Sequence, residues 1–301
     1  MEKFIIIDLG TNTAIFSVAE VHATRLIITH ETSITTRIGE NISKCHCISE
    51  TSLKRNVEAL GTELTNLKQK YGVQKVYAFT TEGVRSADNA DEVVKRLNNA
   101  LNTKFDVVSG EEEARYTLLS VRNIIKNKGR DVAVCDIGGG STEVNILEGN
   151  KLVLSKSLQL GVVRLRNAAN LDLVRKELMP LKRNVDTLIL CGGTGTVTAA
   201  LLLGLKRYSP KLVEGFEIKR PELVELLNRL KKMTISEIRE LLQADKDRAD
   251  VIISGVVIMD AMFDVFDPKT FLITTYGPRH GYMIEKLKLG NKDVQIYTDT
   301  N

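Results

Sequence analysis

The 301-residue chain contains no tryptophan and only 5% aromatic residues, and no Lys/Arg-rich block is interleaved with aromatics. The stacking platforms and basic tracks that grip nucleic acid are therefore missing, which argues against a nucleic-acid partner. No apolar run approaches the roughly 20 residues that span a bilayer, so no membrane role is expected. An excess of one charge is missing too. Forty-two basic and 38 acidic residues leave a formal net charge of +4, which suits an anionic substrate without demanding one. Cysteine is scarce. Cys45 and Cys47 flank His46, but the neighbouring ligands that would close a zinc site at the usual spacings are absent. Cys135 and Cys191 each end an apolar run and read as small buried hydrophobes. Free thiols without a disulfide framework point to a reducing compartment. The opening MEKFIIID enters a strand pattern at once and leaves no room for a signal peptide. A cytoplasmic protein is expected.

What is present is ordinary globular material, 43% hydrophobic and 27% charged. The length suits two domains, and the chain repeats itself. FIIIDLGTNTAIFSV aligns with VAVCDIGGGSTEVNI, which sets Asp8 on Asp136. In both copies an apolar strand stops at aspartate, a glycine and hydroxyl-rich turn follows, and a second strand resumes. A third strand follows in each copy, 25–32 in the first and 151–159 in the second, where Gly149-Asn150 signals a hairpin. So long a period means duplicated domains and not a solenoid.

Helical periodicity fills the remainder. Leu53, Val57, Leu60, Leu64 and Leu67 mark one face of a helix capped by Ser49. Strands are expected at 75–80, 105–108, 186–190 and 271–275, with helices at 90–101 and 111–125. Pro221 starts a further helix. Amphipathic helices over 221–266 would serve core packing or a homodimer contact. Strands alternating with helices argue an α/β fold. The expected division is 1–127 and 128–301, with the break near Asn127-Lys128-Gly129 and the C-terminal helix packing back on the first domain.

The duplicated turns carry the chemistry. Glycine-rich backbone lets N–H groups converge on an anion without Cβ atoms in the way. Gly138, Gly139, Gly140 and Ser141 supply such donors in one copy, and Gly10, Thr11, Asn12 and Thr13 in the other. Two such turns facing each other would grip a chain of phosphates. A carboxylate beside a polyanion is repulsive unless a divalent cation intervenes. Magnesium, bound through one or two carboxylates plus waters and phosphate oxygens, fits Asp8 or Asp136 at the equivalent strand ends, with Glu143 on the strand that follows Asp136; capping the turn is the alternative for each acid. A third glycine turn around Gly193 leads into a helix and serves either a distal phosphate or close helix–strand packing. The acids of SGEEEAR complement a helix start, or one of them orients a water. Arg85, after another strand, is either an ion-pair partner or a counter-charge to a transferred phosphoryl group.

Taken in order, IIIDLGTNT, TTEGVRSADN, SGEEEAR, DIGGGSTE, LGVVRL, CGGTGTVTA, RADVIISG and YGPRHG resemble the exopolyphosphatase/guanosine pentaphosphate phosphohydrolase (Ppx/GppA) family, over about residues 4–283. The resemblance implies the fold of the actin-like ATPase superfamily: two duplicated actin-like (ribonuclease H-like) α/β domains with an interdomain cleft. It implies Glu113 as the catalytic base and Arg85 as a substrate-contacting arginine. Asp136 and Glu143 match the magnesium acids, and Asn12, Ser141 and the amides of Gly138 to Gly140 match the phosphate cradle. Substrates would be inorganic polyphosphate or guanosine pentaphosphate (pppGpp). More distant alternatives are a kinase of the same superfamily and a non-catalytic nucleotide sensor or filament subunit. The chain departs from the family pattern at Thr11, Thr13, Glu111, Pro278 and His280, and it lacks the C-terminal helical domains of longer relatives.

Overall fold

The computed structural model of the chain describes residues 2–40, 42–126, 128–149, 151–166, 170–243, 245–289 and 294–298, the side chains of residues 43 and 44 excepted. Asn127 of the expected domain break and Asn150 of the expected hairpin lie outside the described residues. The chain divides into two compact units, Met1–Leu119 with Arg279–Asn301, and Ser120–Pro278. The division falls earlier than the expected boundary at 127/128, within a helix, and the C-terminal helix returns to the first unit as expected, with the residues that follow it.

The first unit opens with strands β1 (Glu2–Leu9), β2 (Thr13–His22) and β3 (Arg25–Thr35). Helices α1 (Ile42–Cys45) and α2 (Glu50–Tyr71) follow, then strand β4 (Val76–Thr80), α3 (Glu82–Arg85), α4 (Ala90–Leu101), strand β5 (Phe105–Val107) and α5 (Gly110–Ile125), which carries the division. The second unit contains β6 (Asp131–Ile137), β7 (Thr142–Glu148), β8 (Lys151–Leu158), α6 (Leu171–Leu178), β9 (Thr187–Cys191), α7 (Gly192–Leu202), α8 (Pro210–Val213), α9 (Arg220–Leu230), α10 (Ile235–Leu241), α11 (Ile252–Phe266) and β10 (Thr270–Ile273). Helix α12 (Pro278–Lys286) and strand β11 (Gln295–Thr298) end the described chain.

Each unit is built on its own sheet. The first has the order β11-β3-β2-β1-β4-β5, and the second, read from β8, runs β8-β7-β6-β9-β10. Without β11 the two are the same topology. Three strands form an antiparallel meander, a fourth joins its first strand in parallel, and a fifth joins the fourth in parallel. The likeness extends to detail. The strand-end aspartate, the glycine that opens the turn and the site of a register slip each recur 128 positions later (136 − 8, 138 − 10, 146 − 18).

Strand β1 has apolar residues on both faces because both are covered. Ile5, Ile7 and Leu9 join the core under α2 and α4, while Phe4 and Ile6 join Phe79, Tyr116 and Tyr282 on the other side. The side chain of Ser49 caps α2 by accepting from Ser52 N at 3.1 Å, and Gly72 closes the helix at φ 63°. In the second unit the apolar helix α11, with Val256, Val257, Met259 and Met262 fully buried, forms one core with β6, β9 and β10.

Candidate functional site

In the first unit the turn after β1 is closed by a hydrogen bond from Gly10 N to Thr13 O, 3.0 Å. The carbonyls of the next two residues are occupied from one side. Gly39 N donates to Thr11 O at 3.0 Å and Arg37 N to Asn12 O at 2.9 Å. Among the described residues the N–H groups of Thr11 and Asn12 find no acceptor. Both atoms of the Asn12 carboxamide are buried and likewise without a partner among the described residues. A buried amide lacking partners costs on the order of 1–3 kcal/mol. A polyanion would offer acceptors both to that amide and to the backbone N–H groups beside it. Behind the turn, Gly83 stands so close that a Cβ there would lie 2.6 Å from the Cα of Thr11.

Helix α3 brings a cationic side chain to the start of α5. Arg85 Nη2 donates to Glu82 Oε2 at 2.8 Å, and Nη1 reaches Glu113 Oε2 at 3.4 Å and also the carbonyl of Val108. Both carboxylates are less than a tenth exposed. The three acids that open α5 divide their tasks. Glu112 accepts from Ser109 N at 2.9 Å while Ser109 Oγ accepts from Glu112 N at 3.2 Å, which makes a reciprocal helix cap. Glu111 is exposed, and Glu113 is buried. Arg85 thus forms the ion pair that is one of its two expected uses.

The second unit repeats the turn with smaller residues. Gly138 N donates to Ser141 O at 2.9 Å. Val162 N, Val163 N and Arg164 Nε occupy the carbonyls of Gly138, Gly139 and Gly140 at 3.1, 2.8 and 2.7 Å. The N–H groups of Gly139 and Gly140 find no acceptor among the described residues. Gly161 permits the close approach, since a Cβ there would lie 2.4 Å from the oxygen of Gly139. Asp136 is the penultimate residue of β6, and its cross-strand partner is Glu143, in the position that Ile15 holds opposite Asp8. Two carboxylates directly opposite each other repel. Glu143 is nevertheless fully buried, and its Oε1 accepts from Ser157 Oγ at 2.7 Å. The thiol of Cys135 is pushed up, first by burial and then by the carboxylates of Asp136 and Glu143. Negative potential thus gathers at the end of β6.

That donor set suits magnesium. Among the described residues no three or more His, Cys, Asp or Glu side chains group to cage a metal. Two carboxylates leave the remaining positions to water and substrate oxygens, the usual habit of that ion. Gly192 supports the arrangement, because a Cβ there would lie 2.2 Å from Asp136 Oδ1. Gly193, in the same turn, lies against the guanidinium of Arg248, which Asp245 holds at 2.6 Å.

The expected residues are divided between the units: Asp8, Gly10, Thr11, Asn12, Thr13, Arg85 and Glu113 belong to the first, Asp136, Gly138, Gly139, Gly140, Ser141, Glu143 and Gly193 to the second. Sequence reasoning missed Glu82, Gly83, Gly161, Arg164 and Arg248. Arg279 is buried and pairs through both Nε and Nη2 with Glu31, each at 2.8 Å.

Residues 15–289 match the model of the Ppx/GppA phosphatase family. The chain is 27% identical over 302 aligned positions to a bifunctional 3-dehydroquinate synthase/phosphatase of Fusobacterium nucleatum, with 89% of this chain aligned to 44% of that protein, so it spans less than half of that relative. It is 24% identical to exopolyphosphatase 1 of Mycobacterium tuberculosis over 94% of this chain and 87% of that one. Among solved structures, the Aquifex aeolicus member of the Ppx/GppA family superposes with a TM-score of 0.79 at 26% identity, covering 97% of this chain and 99% of the other. An exopolyphosphatase from Cytophaga hutchinsonii superposes with a TM-score of 0.85 at 21% identity, over 98% and 99%. The two-sheet α/β fold is that of the actin-like ATPase superfamily.

Proposed function

The chain belongs to the Ppx/GppA phosphatase family, and on that footing we propose that it removes terminal phosphates from inorganic polyphosphate, releasing orthophosphate. Phosphoanhydride hydrolysis needs little covalent help from a protein. It needs the phosphates fixed, their charge compensated and a water aimed at the terminal phosphorus. The N–H groups of Thr11, Asn12, Gly139 and Gly140, with the Asn12 carboxamide, are the donors that would fix phosphate oxygens. The single observation that carries the reading is the duplicated turn whose carbonyls are consumed from behind while its amides stay open.

Glu113 is the base in this reading. Its carboxylate takes a proton from a water whose oxygen attacks the terminal phosphorus, and the P–O bond to the rest of the chain breaks. The products are orthophosphate and a polyphosphate shorter by one unit. Arg85 holds Glu113 in place through the 3.4 Å pair. Asp136 and Glu143 would hold magnesium, which supplies positive charge beside the phosphates when bound. Removal of the 5′-terminal phosphate of guanosine pentaphosphate is the alternative, since both substrates present a similar phosphate end.

Phosphate release from short polyphosphate, long polyphosphate and guanosine pentaphosphate, with magnesium present and then chelated, tests the reading. Release from polyphosphate that stops on chelation is expected. Release from none of the three refutes the hydrolase, and release from guanosine pentaphosphate alone transfers the assignment to the nucleotide.

A further inference from the structure

The Cys45-His46-Cys47 turn takes no part in phosphate chemistry, yet its geometry is specific. His46 sits in the left-handed region at φ 51°, so the two cysteines flank a sharp reversal. The Cys45 thiol donates to the carbonyl of Cys47 at 3.2 Å, which turns it towards its neighbour two residues on. Cys45 is exposed and Cys47 half-buried, whereas Cys135 and Cys191 are buried completely. The chain therefore holds one accessible pair of adjoining thiols and two enclosed thiols that serve as an internal control. Metal binding does not explain the pair, because no group of three or more His, Cys, Asp or Glu ligands forms among the described residues.

The turn is also wired to the phosphate loop of its own unit. Thr11 O accepts from Gly39 N at 3.0 Å, Gly39 O from Ile42 N at 3.2 Å and Ile42 O from His46 N at 3.1 Å. His46 O in turn accepts from Asp88 N at 2.7 Å, three residues beyond Arg85. A change of backbone at the turn has a continuous hydrogen-bonded route to Thr11.

We propose that Cys45 and Cys47 form a reversible dithiol–disulfide site, oxidised by low-molecular-weight disulfides. The exposed Cys45, as thiolate, attacks one sulfur of the small disulfide, and the first small thiol leaves with a proton. The Cys47 sulfur then attacks the Cys45 sulfur of the mixed disulfide and expels the second small thiol. Two cysteine thiols are oxidised by two electrons in total, and one small disulfide is reduced to two thiols. The Cys45 thiol beside it, and then burial, hold the Cys47 thiol above the usual cysteine range, which leaves the exposed Cys45 as the first nucleophile.

Oxidised glutathione added to the native protein, followed by intact mass measurement and peptide mapping, is the test. The wild-type chain is expected to lose the mass of two hydrogen atoms, to acquire a Cys45–Cys47 link and to regain its starting mass with dithiothreitol. Cys47→Ser is expected to stop at a stable glutathione adduct on Cys45, because the resolving sulfur is gone. A persistent adduct on the wild-type chain, or modification of Cys135 or Cys191 at the rate of Cys45, overturns the proposal. Thiol exchange is read without any phosphate substrate, so this result and that of the hydrolase assay stand or fall separately.

Discussion

Arg85 lies between two buried carboxylates, and that sharing decides what each of the three side chains can do. A guanidinium paired with both carboxylates is held in place, and in the proposed mechanism its task is to orient Glu113. Glu113→Gln keeps the size and the hydrogen-bonding oxygen but cannot accept a proton. It is expected to lower kcat for phosphate release by at least about a hundredfold while polyphosphate binding persists. A variant releasing phosphate at the wild-type rate assigns the base elsewhere. Glu82→Gln removes the second anchor of Arg85. It is expected to lower kcat about tenfold with KM nearly unchanged, because the loss is one of alignment and not of binding. Combining it with Arg85→Lys should add little further loss. A rise in KM alone would instead make Arg85 a substrate ligand. Nothing local in TTEGVR announces this role for Glu82, since a glutamate after a strand usually complements the helix start. Glu113, which shares Arg85 with it, is 31 residues away, and only packing brings the two to one guanidinium.

At the scale of elements, the turns depend on residues that support them from a distance in sequence. The backbone at 161–164 lies against the Gly138–Gly140 turn, and the atoms a Cβ at Gly161 would meet belong to the backbone of Gly139 and Gly140. Gly161→Ala must therefore displace the turn itself. Lost phosphate release together with a lowered thermal midpoint is expected, and an unchanged rate would show that the turn tolerates the shift. The strand–Asp–Gly turn could be read from local pattern, because an apolar run, an acid and a glycine are all adjacent. The supporting contact from LGVVRL could not, because glycine carries no side chain that names its neighbour. A second support is electrostatic. Asp186 precedes β9 and accepts from Arg130 N at 3.0 Å and Asp131 N at 3.3 Å at the start of β6. Lys269 first, and then these two amides, hold its carboxyl down at about 2 from an ordinary 3.8. A lowered native value stabilises the fold above pH 3.8, and that benefit drains away as pH falls towards 2. Thermal midpoints of wild type and Asp186→Asn should therefore differ at neutral pH and converge over that acid window. A gap that stays constant down to pH 2 would mean the carboxylate charge is not what matters.

For the whole molecule the question is how a duplicated chain divides. The repeat at a spacing of 128 was open to sequence reading because each copy carries its own aspartate and glycine turn. The return of the C-terminal helix to the first unit was expected, but that of β11 was not, because it is only four residues long and its partner β3 lies some 270 positions earlier. Helix α12 is what makes that return energetically consequential. Tyr282 is 1% exposed. Its ring lies 4.6 Å from that of Phe79 and 5.6 Å from that of Tyr116, and its hydroxyl donates to Asp106 Oδ2 at 2.7 Å. Removing a fully buried aromatic side chain costs roughly 3–5 kcal/mol, because the cavity collapses only in part. Tyr282→Ala empties a core that contains residues of the first unit alone, while the core of the second is a separate cluster. Hydrogen exchange followed by peptide should therefore show protection falling in β1, β4 and α5 up to Leu119, with α11 and β9 keeping theirs. Protection lost equally from both sets would mean that the two units open as one cooperative body, since energy removed from one core would then be felt at once by the other.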